Sequence, residues 1–235
     1  AGASSGPDGF PPALFKHLAG SLAEPLSLIF KSFMSVGKTP SAWLHAIVTP
    51  VYKSGPASSV SNYRPISLTC VACKLMERIV TSSMLAHLRR HDFGVISKQQ
   101  HGFLSGRSTS SNLLETLNDW TLAINDKKSV GVIYIDYAKA FDSVCHAKLL
   151  NKLAGYGISG QLLKWVESFL HGRTQQTRVG HTLSTSVELT SGVVQGSVLG
   201  PLLFVLFIND ITYIFNNSQC NCKLTVCLRF ETLCC

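Results

Sequence analysis

The sequence has few charged residues and no long apolar run. Charged residues make up 14% of the 235 residues, against about 25% in a typical globular domain. The longest apolar stretch, 198–208, is interrupted by Gly200 and Pro201 and is far shorter than the roughly 20 residues that a membrane-spanning helix needs. The first ten residues lack the basic and apolar regions of a secretory signal. We therefore expect an intracellular protein, nuclear or cytoplasmic, with reduced cysteines.

Apolar residues, by contrast, are abundant. They make up 46% of the chain, and the mean hydropathy is +0.22. A chain of this composition can bury enough apolar surface to fold, which excludes intrinsic disorder. We find no internal repeat and no linker between independent halves. The high apolar content and the sparse charge are what a piece of a larger protein would show.

The positive charge is concentrated in one part of the chain. The whole sequence carries 21 Lys and Arg, 13 Asp and Glu, and a net charge of +8. The segment 31–107 holds ten basic residues and two acidic ones, Glu77 and Asp92, so it accounts for the entire excess. Such a block suits a nucleic acid backbone, and the interleaved Tyr52, Tyr63 and Phe103 favour that interpretation over a merely solvated surface.

Hydrophobic periodicity predicts an α+β fold. We expect helices, strands and turns in this order: a helical segment 12–36 broken near Pro25, a strand 47–52, helices 73–90 and 112–124, a strand 130–135 buried on both faces, helices 143–154 and 160–171, a hairpin of 174–180 with 186–189, and a Gly-rich turn at 191–197 leading into an apolar helix that ends at Ile214.

Asp136 is the sharpest chemical feature, because it follows the apolar run 130–135 directly. A carboxylate at the end of a buried strand needs a partner or a cation, and Mg²⁺ favours carboxylate together with phosphate oxygens. A helix N-cap is an equally reasonable role for this residue. Five positions later, Phe141 could press on a bound sugar, although a core position is the commoner fate of Phe. Asp142 is more consistent with a structural partner of Lys139 or of a backbone amide.

Four motifs together resemble the reverse transcriptase of non-LTR (LINE-type, jockey-like) retrotransposons, in the order of that family. They are Ser-Asn-Tyr-Arg-Pro-Ile-Ser-Leu at 61–68, Gln-Gln-His-Gly-Phe at 99–103 with Arg-Ser-Thr at 107–109, the segment 136–142, and Ser-Gly-Val-Val-Gln-Gly-Ser-Val-Leu-Gly-Pro at 191–201. The resemblance covers roughly residues 6–224.

This resemblance implies a right-hand polymerase fold with fingers and a partial palm, cut off before the second catalytic hairpin and without a thumb. The corresponding regions are an N-terminal lead-in and helix at 1–30, basic fingers at 31–125, the partial palm at 126–224 and a non-matching tail at 225–235. The implied partners are an RNA template, a DNA primer and deoxynucleoside triphosphates, with no membrane. The implied cofactor is a pair of Mg²⁺ ions.

The resemblance also assigns site residues. Asp136 matches the first catalytic aspartate, which binds metal together with the backbone of Tyr137. Nucleotide-binding positions match Lys53, Arg64, the steric gate Phe141, and the turn residues Gln195 and Gly196. Template-binding positions match Gln99, Gly102, Phe103 and Arg107.

Two departures from the family pattern stand out. The family has Pro where this chain has Val194, which removes no functional group. More seriously, a strand such as 222–224 should lead into an Ala-Asp-Asp hairpin, but after Asp210 the only acidic residue of this sequence is Glu231. Asp210 itself matches a structural position. We therefore expect this chain to be catalytically incomplete, with the residues after Leu224 arising from a frameshift, a splicing error or decay.

Three hypotheses follow for the function of the chain: an active RNA-directed DNA polymerase, a non-catalytic remnant that binds RNA or RNA–DNA hybrid, and a product that does not fold stably. An unrelated metal-dependent nuclease or phosphatase fits less well, because Asp142 is the one further carboxylate near Asp136. The cysteines at 220–235 lack paired C-x₂-C knuckles, and Cys70 and Cys73 have that spacing but stand alone, which argues against a structural zinc site.

Overall fold

The computed structural model describes residues 5–90 and 95–214. Within these ranges the chain mixes helices and strands, as the α+β prediction requires. The elements in chain order are α1 Pro12–His17, α2 Ala19–Val36, β1 His45–Tyr52, β2 Tyr63–Leu68, α3 Val71–Arg90, α4 Thr109–Asn125, α5 His146–Gly155, α6 Gly160–Leu170, β3 Arg173–Val179, β4 Thr182–Leu183, β5 Val187–Leu189, α7 Gly200–Ile208 and α8 Ile211–Ile214.

The N-terminal helices differ from the prediction in where they break. Pro25 lies inside the continuous helix α2, and the interruption falls at Leu18, whose φ is −100° and ψ is 19°. Proline removes one backbone donor, but the hydrogen bonds of the turns on either side keep α2 intact. Its end follows a common rule: Gly37 adopts a left-handed φ of 64°, and its N–H donates to the Met34 carbonyl oxygen at 3.1 Å.

The strands form one five-stranded sheet. The order is β2-β1-β3-β4, and β5 also pairs with β3. The predicted hairpin of 174–180 with 186–189 is confirmed, with Gln175 opposite Val187. A parallel pairing of β1 with β3, with His45 opposite Thr174, was not predicted. The sheet therefore joins a strand from the basic segment to strands near the C-terminal end of the described residues.

The predicted buried strand at 130–135 is wrong. Residues 129–137 are irregular, and the side chains of Ile133 and Tyr134 are 87% and 86% exposed. A strand requires a neighbour that accepts and donates its backbone hydrogen bonds, and no strand in the described ranges pairs with this segment. Its apolar character is real, but the described residues leave it uncovered.

The hydrophobic core lies among α3, α5, α6 and α7. Its largest fully buried side chains include Trp165, Phe169, Met76, Met84 and Leu149. The rings of Trp165 and Phe169 stack with centroids 5.5 Å apart. In α7 six of nine residues are buried, so this helix is central to the core. No helix in the described part of the chain is long and apolar enough to cross a membrane.

The strand that the resemblance implies near 222–224, the non-matching tail at 225–235 and the cysteines at 220–235 lie outside the described residues. Asp210 is described, and its carboxylate pairs with the Lys152 ammonium at 2.6 Å. That contact links the end of α7 to α5, which is consistent with the structural role predicted for Asp210.

Candidate nucleotide and nucleic-acid site

The loop between β1 and β2 carries Lys53 and precedes Arg64. The Lys53 amide donates to the Asn62 carbonyl oxygen at 2.8 Å, which closes the loop, and the Lys53 side chain is exposed. Arg64 lies on β2 opposite Val51 and is half-buried. The rings of Tyr52 and Tyr63 meet edge to face at 5.6 Å. The two cations predicted to bind phosphate, Lys53 and Arg64, thus both lie on the β1–β2 hairpin.

The Gly-rich turn at 195–197 docks on the same strand β2. The Ser67 amide donates to the Gln195 carbonyl oxygen at 2.8 Å. Gly196 has a φ of 114°, and a Cβ at this position would lie 2.5 Å from the Ser67 carbonyl oxygen. Only glycine fits such an approach without a shift of backbone. The structure therefore brings Gln195 and Gly196 to the strand that carries Arg64.

The preceding residues of this turn contact the segment after Asp136. The Val193 amide donates to the Phe141 carbonyl oxygen, and the Gly192 amide to that of Val144, both at 2.8 Å. The Ser191 hydroxyl donates to the Asp142 carbonyl oxygen at 2.9 Å. Three of the four sequence motifs are thereby joined by backbone hydrogen bonds.

Phe141 lies in the hydrophobic core. It is 5% exposed, and its ring stacks on that of Phe204 with centroids 4.6 Å apart. Phe103, which has a φ of 56°, meets the Phe141 ring edge to face at 5.9 Å. The described structure thus places Phe141 where the commoner interpretation of a Phe would put it, and the steric-gate role stays a prediction.

The segment 97–107, predicted to guide template, is held together by Arg107. Its guanidinium donates to the carbonyl oxygens of Lys98 and Gln100, both at 2.6 Å. The Gly102 amide donates to the Gln100 side-chain oxygen at 2.9 Å, and Gly102 is buried. The side-chain oxygen of Gln99 is buried without a hydrogen-bond partner in the described structure. Arg107 therefore already serves as an internal clamp of this segment, and template binding by these residues stays a prediction.

Asp136 and Tyr137 are exposed on the irregular segment 129–137. No hydrogen bond or ion pair engages the Asp136 carboxylate among the described residues, so the structure does not use it as a helix N-cap. In residues 5–90 and 95–214, no group of three or more His, Cys, Asp or Glu side chains is arranged to hold a metal ion.

A cavity of about 290 Å³ lies between β2, β3, β5 and the loop 190–195. Its polar lining includes Ser67, Asp142, His146, Arg173 and Gln195. Burial lowers the pKa of His146, whose ring Nε2 donates to the Gly192 carbonyl oxygen at 2.8 Å. Partial burial raises the pKa of Asp142, and the charge of Lys139 opposes that shift.

Comparison with known proteins decides the family. Residues 51–228 match the family described as reverse transcriptase (RNA-dependent DNA polymerase). The chain belongs to the reverse transcriptase family. The match spans every site residue predicted above, from Lys53 to Gly196, and members of this family generally use a divalent metal ion.

Relatives place this reverse transcriptase chain with non-LTR retrotransposons, as predicted. It is 35% identical over 187 residues to the RNA-directed DNA polymerase from mobile element jockey of Drosophila melanogaster. It is 31% identical over 193 residues to the probable RNA-directed DNA polymerase from transposon BS of the same species. Each alignment covers 79% of this chain and 20% of the relative. A third similar protein, a Pol polyprotein from a type-1 R2 element of Popillia japonica, is 27% identical, with 74% and 24% covered. The chain spans about a fifth of the length of the jockey and BS proteins.

Two buried charged residues of this reverse transcriptase chain escaped the sequence analysis. Glu77 is fully buried, and burial raises the pKa of its carboxyl. Arg173 is 2% exposed and donates to the carbonyl oxygens of Phe169 at 3.0 Å and Trp43 at 3.3 Å. Burial lowers the pKa of Arg173, and the neighbouring Cys73 and Glu77 oppose that shift.

The sequence did contain a signal for Glu77. It falls four residues after Cys73 and three before Val80, on the helical stripe that α3 buries. A carboxylate on an apolar stripe requires internal partners. Arg173 carries no comparable signal, because the neighbouring positions of β3 are polar.

Proposed function

We propose that this chain is the template- and nucleotide-binding part of a retrotransposon RNA-directed DNA polymerase. In this proposal residues 31–125 are the fingers and 126–224 a partial palm, preceded by the lead-in at 1–30 and followed by a non-matching tail at 225–235. The partners are an RNA template, a DNA primer and deoxynucleoside triphosphates, which such an enzyme meets in the nucleus or cytoplasm. The names of the jockey and BS relatives support this activity class.

The observation that carries the proposal is the docking of the 195–197 turn on β2. Two motifs that the resemblance assigns to nucleotide binding are far apart in sequence, yet the Ser67 amide and the Gln195 carbonyl oxygen meet at 2.8 Å. Arg64 lies on that same strand. A guanidinium can bind two phosphate oxygens at once, and the missing Cβ at Gly196 is what lets the turn approach the backbone of β2 so closely.

Charge supports a nucleic acid partner. The segment 31–107 carries the net charge of +8 of the whole sequence. Each phosphate that a protein neutralises releases condensed counterions, so binding of this kind weakens steeply as salt increases. This dependence gives the proposal a quantitative test.

The described residues do not fit a two-metal catalytic centre. Asp136 is exposed, and no three potential ligands converge anywhere in the described ranges. Two Mg²⁺ ions bring four positive charges into one site, and the sequence after Asp210 supplies a single acidic residue, Glu231. We therefore propose that a polypeptide of these 235 residues binds template–primer without extending it.

A binding assay tests the proposed nucleic-acid interface, and a primer-extension assay tests the proposed lack of catalysis. An RNA template annealed to a DNA primer should bind with a log Kd that rises linearly with log salt. Replacing Arg64 by Ala should reduce that slope by about 0.9, the contribution of one phosphate contact. Lys16→Ala, an exposed cation outside the basic segment, should leave the slope unchanged.

Primer extension with Mg²⁺ and the four deoxynucleotides should yield no product. Extended primer would overturn the proposed incompleteness while supporting the polymerase assignment. Binding that does not depend on salt would contradict the nucleic-acid interface itself. The absence of binding by a chain that unfolds cooperatively, and is therefore folded, would contradict it as well. A chain without cooperative unfolding would support the hypothesis of a product that does not fold.

A further inference from the structure

The buried carboxylate of Glu77 accepts hydrogen bonds from the backbone directly after the 195–197 turn. Its Oε2 accepts hydrogen bonds from the amides of Val198 at 2.6 Å and Leu199 at 2.9 Å. Its Oε1 accepts from the Cys73 thiol at 3.4 Å. Glu77 is fully buried, so water cannot replace these contacts, and both carboxylate oxygens are engaged.

These bonds do more than begin α7. The side chain of Ser197 already accepts from the Gly200 amide at 2.9 Å, so the first residue of α7 has its own partner. The Val198 and Leu199 amides lie before the helix, between its start and the Gly-rich turn. Without an acceptor, these two donors would be left unsatisfied near the core.

The turn is therefore held from two sides. On one side the Gln195 carbonyl oxygen accepts from the Ser67 amide on β2. On the other, Glu77 reaches from α3 to Val198 and Leu199. Since β2 and α3 are separated only by Thr69 and Cys70, both anchors belong to one short stretch of chain, which fixes the position of the turn relative to Arg64.

We propose that Glu77 is a positioning residue that holds the Gln195–Gly196 turn in place for duplex and nucleotide binding through its two backbone hydrogen bonds. This inference rests on the proposed function. It requires an acceptor oxygen at the full reach of a glutamate side chain, and it does not require the negative charge.

Reach and charge can be separated with three variants. Glu77→Gln keeps the reach and an acceptor oxygen without the charge. Glu77→Asp keeps the charge but shortens the side chain by one methylene, and Glu77→Leu removes the acceptor altogether. Glu24→Gln, an exposed residue of α2, is the matched control.

Amide hydrogen exchange reads out the position of the turn. In the Asp and Leu variants we expect the Ser67, Val198 and Leu199 amides to exchange at least about tenfold faster, as expected when hydrogen bonds of ordinary strength are lost. The Leu149 and Phe169 amides of the core should keep their rates. The Gln variant should stay within about threefold of the parent chain. If Glu77→Leu does not fold, Glu77→Asp carries the test.

Nucleic acid binding reads out the consequence. The basic segment should bind both single-stranded RNA and the RNA–DNA duplex, whereas the turn, which the resemblance matches to one that packs beside the nascent base pair, should contact only the duplex. The ratio of the two Kd values should therefore change at least about threefold against the duplex in the Asp and Leu variants, and not in the Gln or control variants. A general loss of folded protein would weaken the binding of single-stranded RNA and of the duplex equally.

Two results would overturn the inference. One is that the Val198 and Leu199 amides stay protected from exchange in Glu77→Asp but lose protection in Glu77→Gln. The other is that exchange in the Asp and Leu variants rises evenly throughout the chain. If the parent chain binds neither nucleic acid, the proposed function fails. The exchange data would then still decide whether Glu77 holds the turn.

Discussion

Replacing Gly196 by alanine probes the docking of the turn on β2 most directly. The φ of 114° at this residue disfavours any L side chain, at a cost of about 1–3 kcal/mol. The new Cβ would also lie 2.5 Å from the Ser67 carbonyl oxygen. That atom belongs to the backbone, so the turn must move away and weaken the Ser67–Gln195 hydrogen bond, which contributes about 1 kcal/mol. We expect Gly196→Ala to lower the free energy of unfolding by about 2–4 kcal/mol.

The matched control is Gly180→Ala, in the turn between β3 and β4. Gly180 also has a left-handed φ, 61°, but no atom lies within 4 Å of the position of its Cβ. Alanine there should lower stability only through backbone strain, about 1 kcal/mol. Urea unfolding followed by tryptophan fluorescence, to which the buried Trp165 contributes, gives both values, and exchange of the Ser67 amide reports the local hydrogen bond. If Gly196→Ala is no more destabilising than Gly180→Ala, the close approach does not constrain the turn and our argument for it is refuted.

Two further predictions concern the core and the cavity. Phe141→Ala should lower the free energy of unfolding by about 3–5 kcal/mol because the ring is buried against Phe204. The control Phe10→Ala, at an exposed residue, should change that free energy by less than about 0.5 kcal/mol. Equal effects of the two substitutions in urea unfolding would contradict the core position of Phe141. His146 should make stability pH-dependent: burial depresses its pKa below the ordinary value of 6.5, so its contribution is intact above pH 6.5 and lost as the pH falls below it. Thermal unfolding between pH 5 and 8 should show a smaller loss on acidification for His146→Gln than for the parent chain, and an unchanged profile would show that burial of this ring does not limit stability in acid.

Local patterns predicted the helices well because their causes are local. The stripe of apolar residues along α3 lies within a few turns of the residues that it organises, whereas the observed start of α4 at Thr109 precedes the predicted start at 112. Ser108 and Ser111 form a reciprocal capping box that fixes the start of α4. Even the error at Pro25 was local, since the hydrogen bonds of neighbouring turns outweighed one missing donor.

Pairings across the chain were much harder to predict. Nothing in residues 45–52 indicates a parallel neighbour at 173–179, because the register depends on where α5 and α6 place β3. The prediction of a strand at 130–135 is wrong for the same reason: a β-forming composition does not make a strand when none of the strands in residues 5–90 and 95–214 pairs with it. Within the candidate site, Gln195 and Gly196 were identified through the resemblance, whereas their contact with Ser67 required the structure.

The order in which the chain is made bears on the pairing of β1 with β3. His45 and Thr174 are neighbours across the sheet but lie 129 positions apart. At a translation rate of about 5–20 residues per second, β1 waits roughly 6–26 s after leaving the ribosome before its parallel partner exists. During that interval one edge of the β1–β2 hairpin is open to strands of other chains. A nascent chain stalled just before residue 173 should therefore depend on chaperones and be readily cleaved by proteases, even though the whole basic segment 31–107 has already been synthesised.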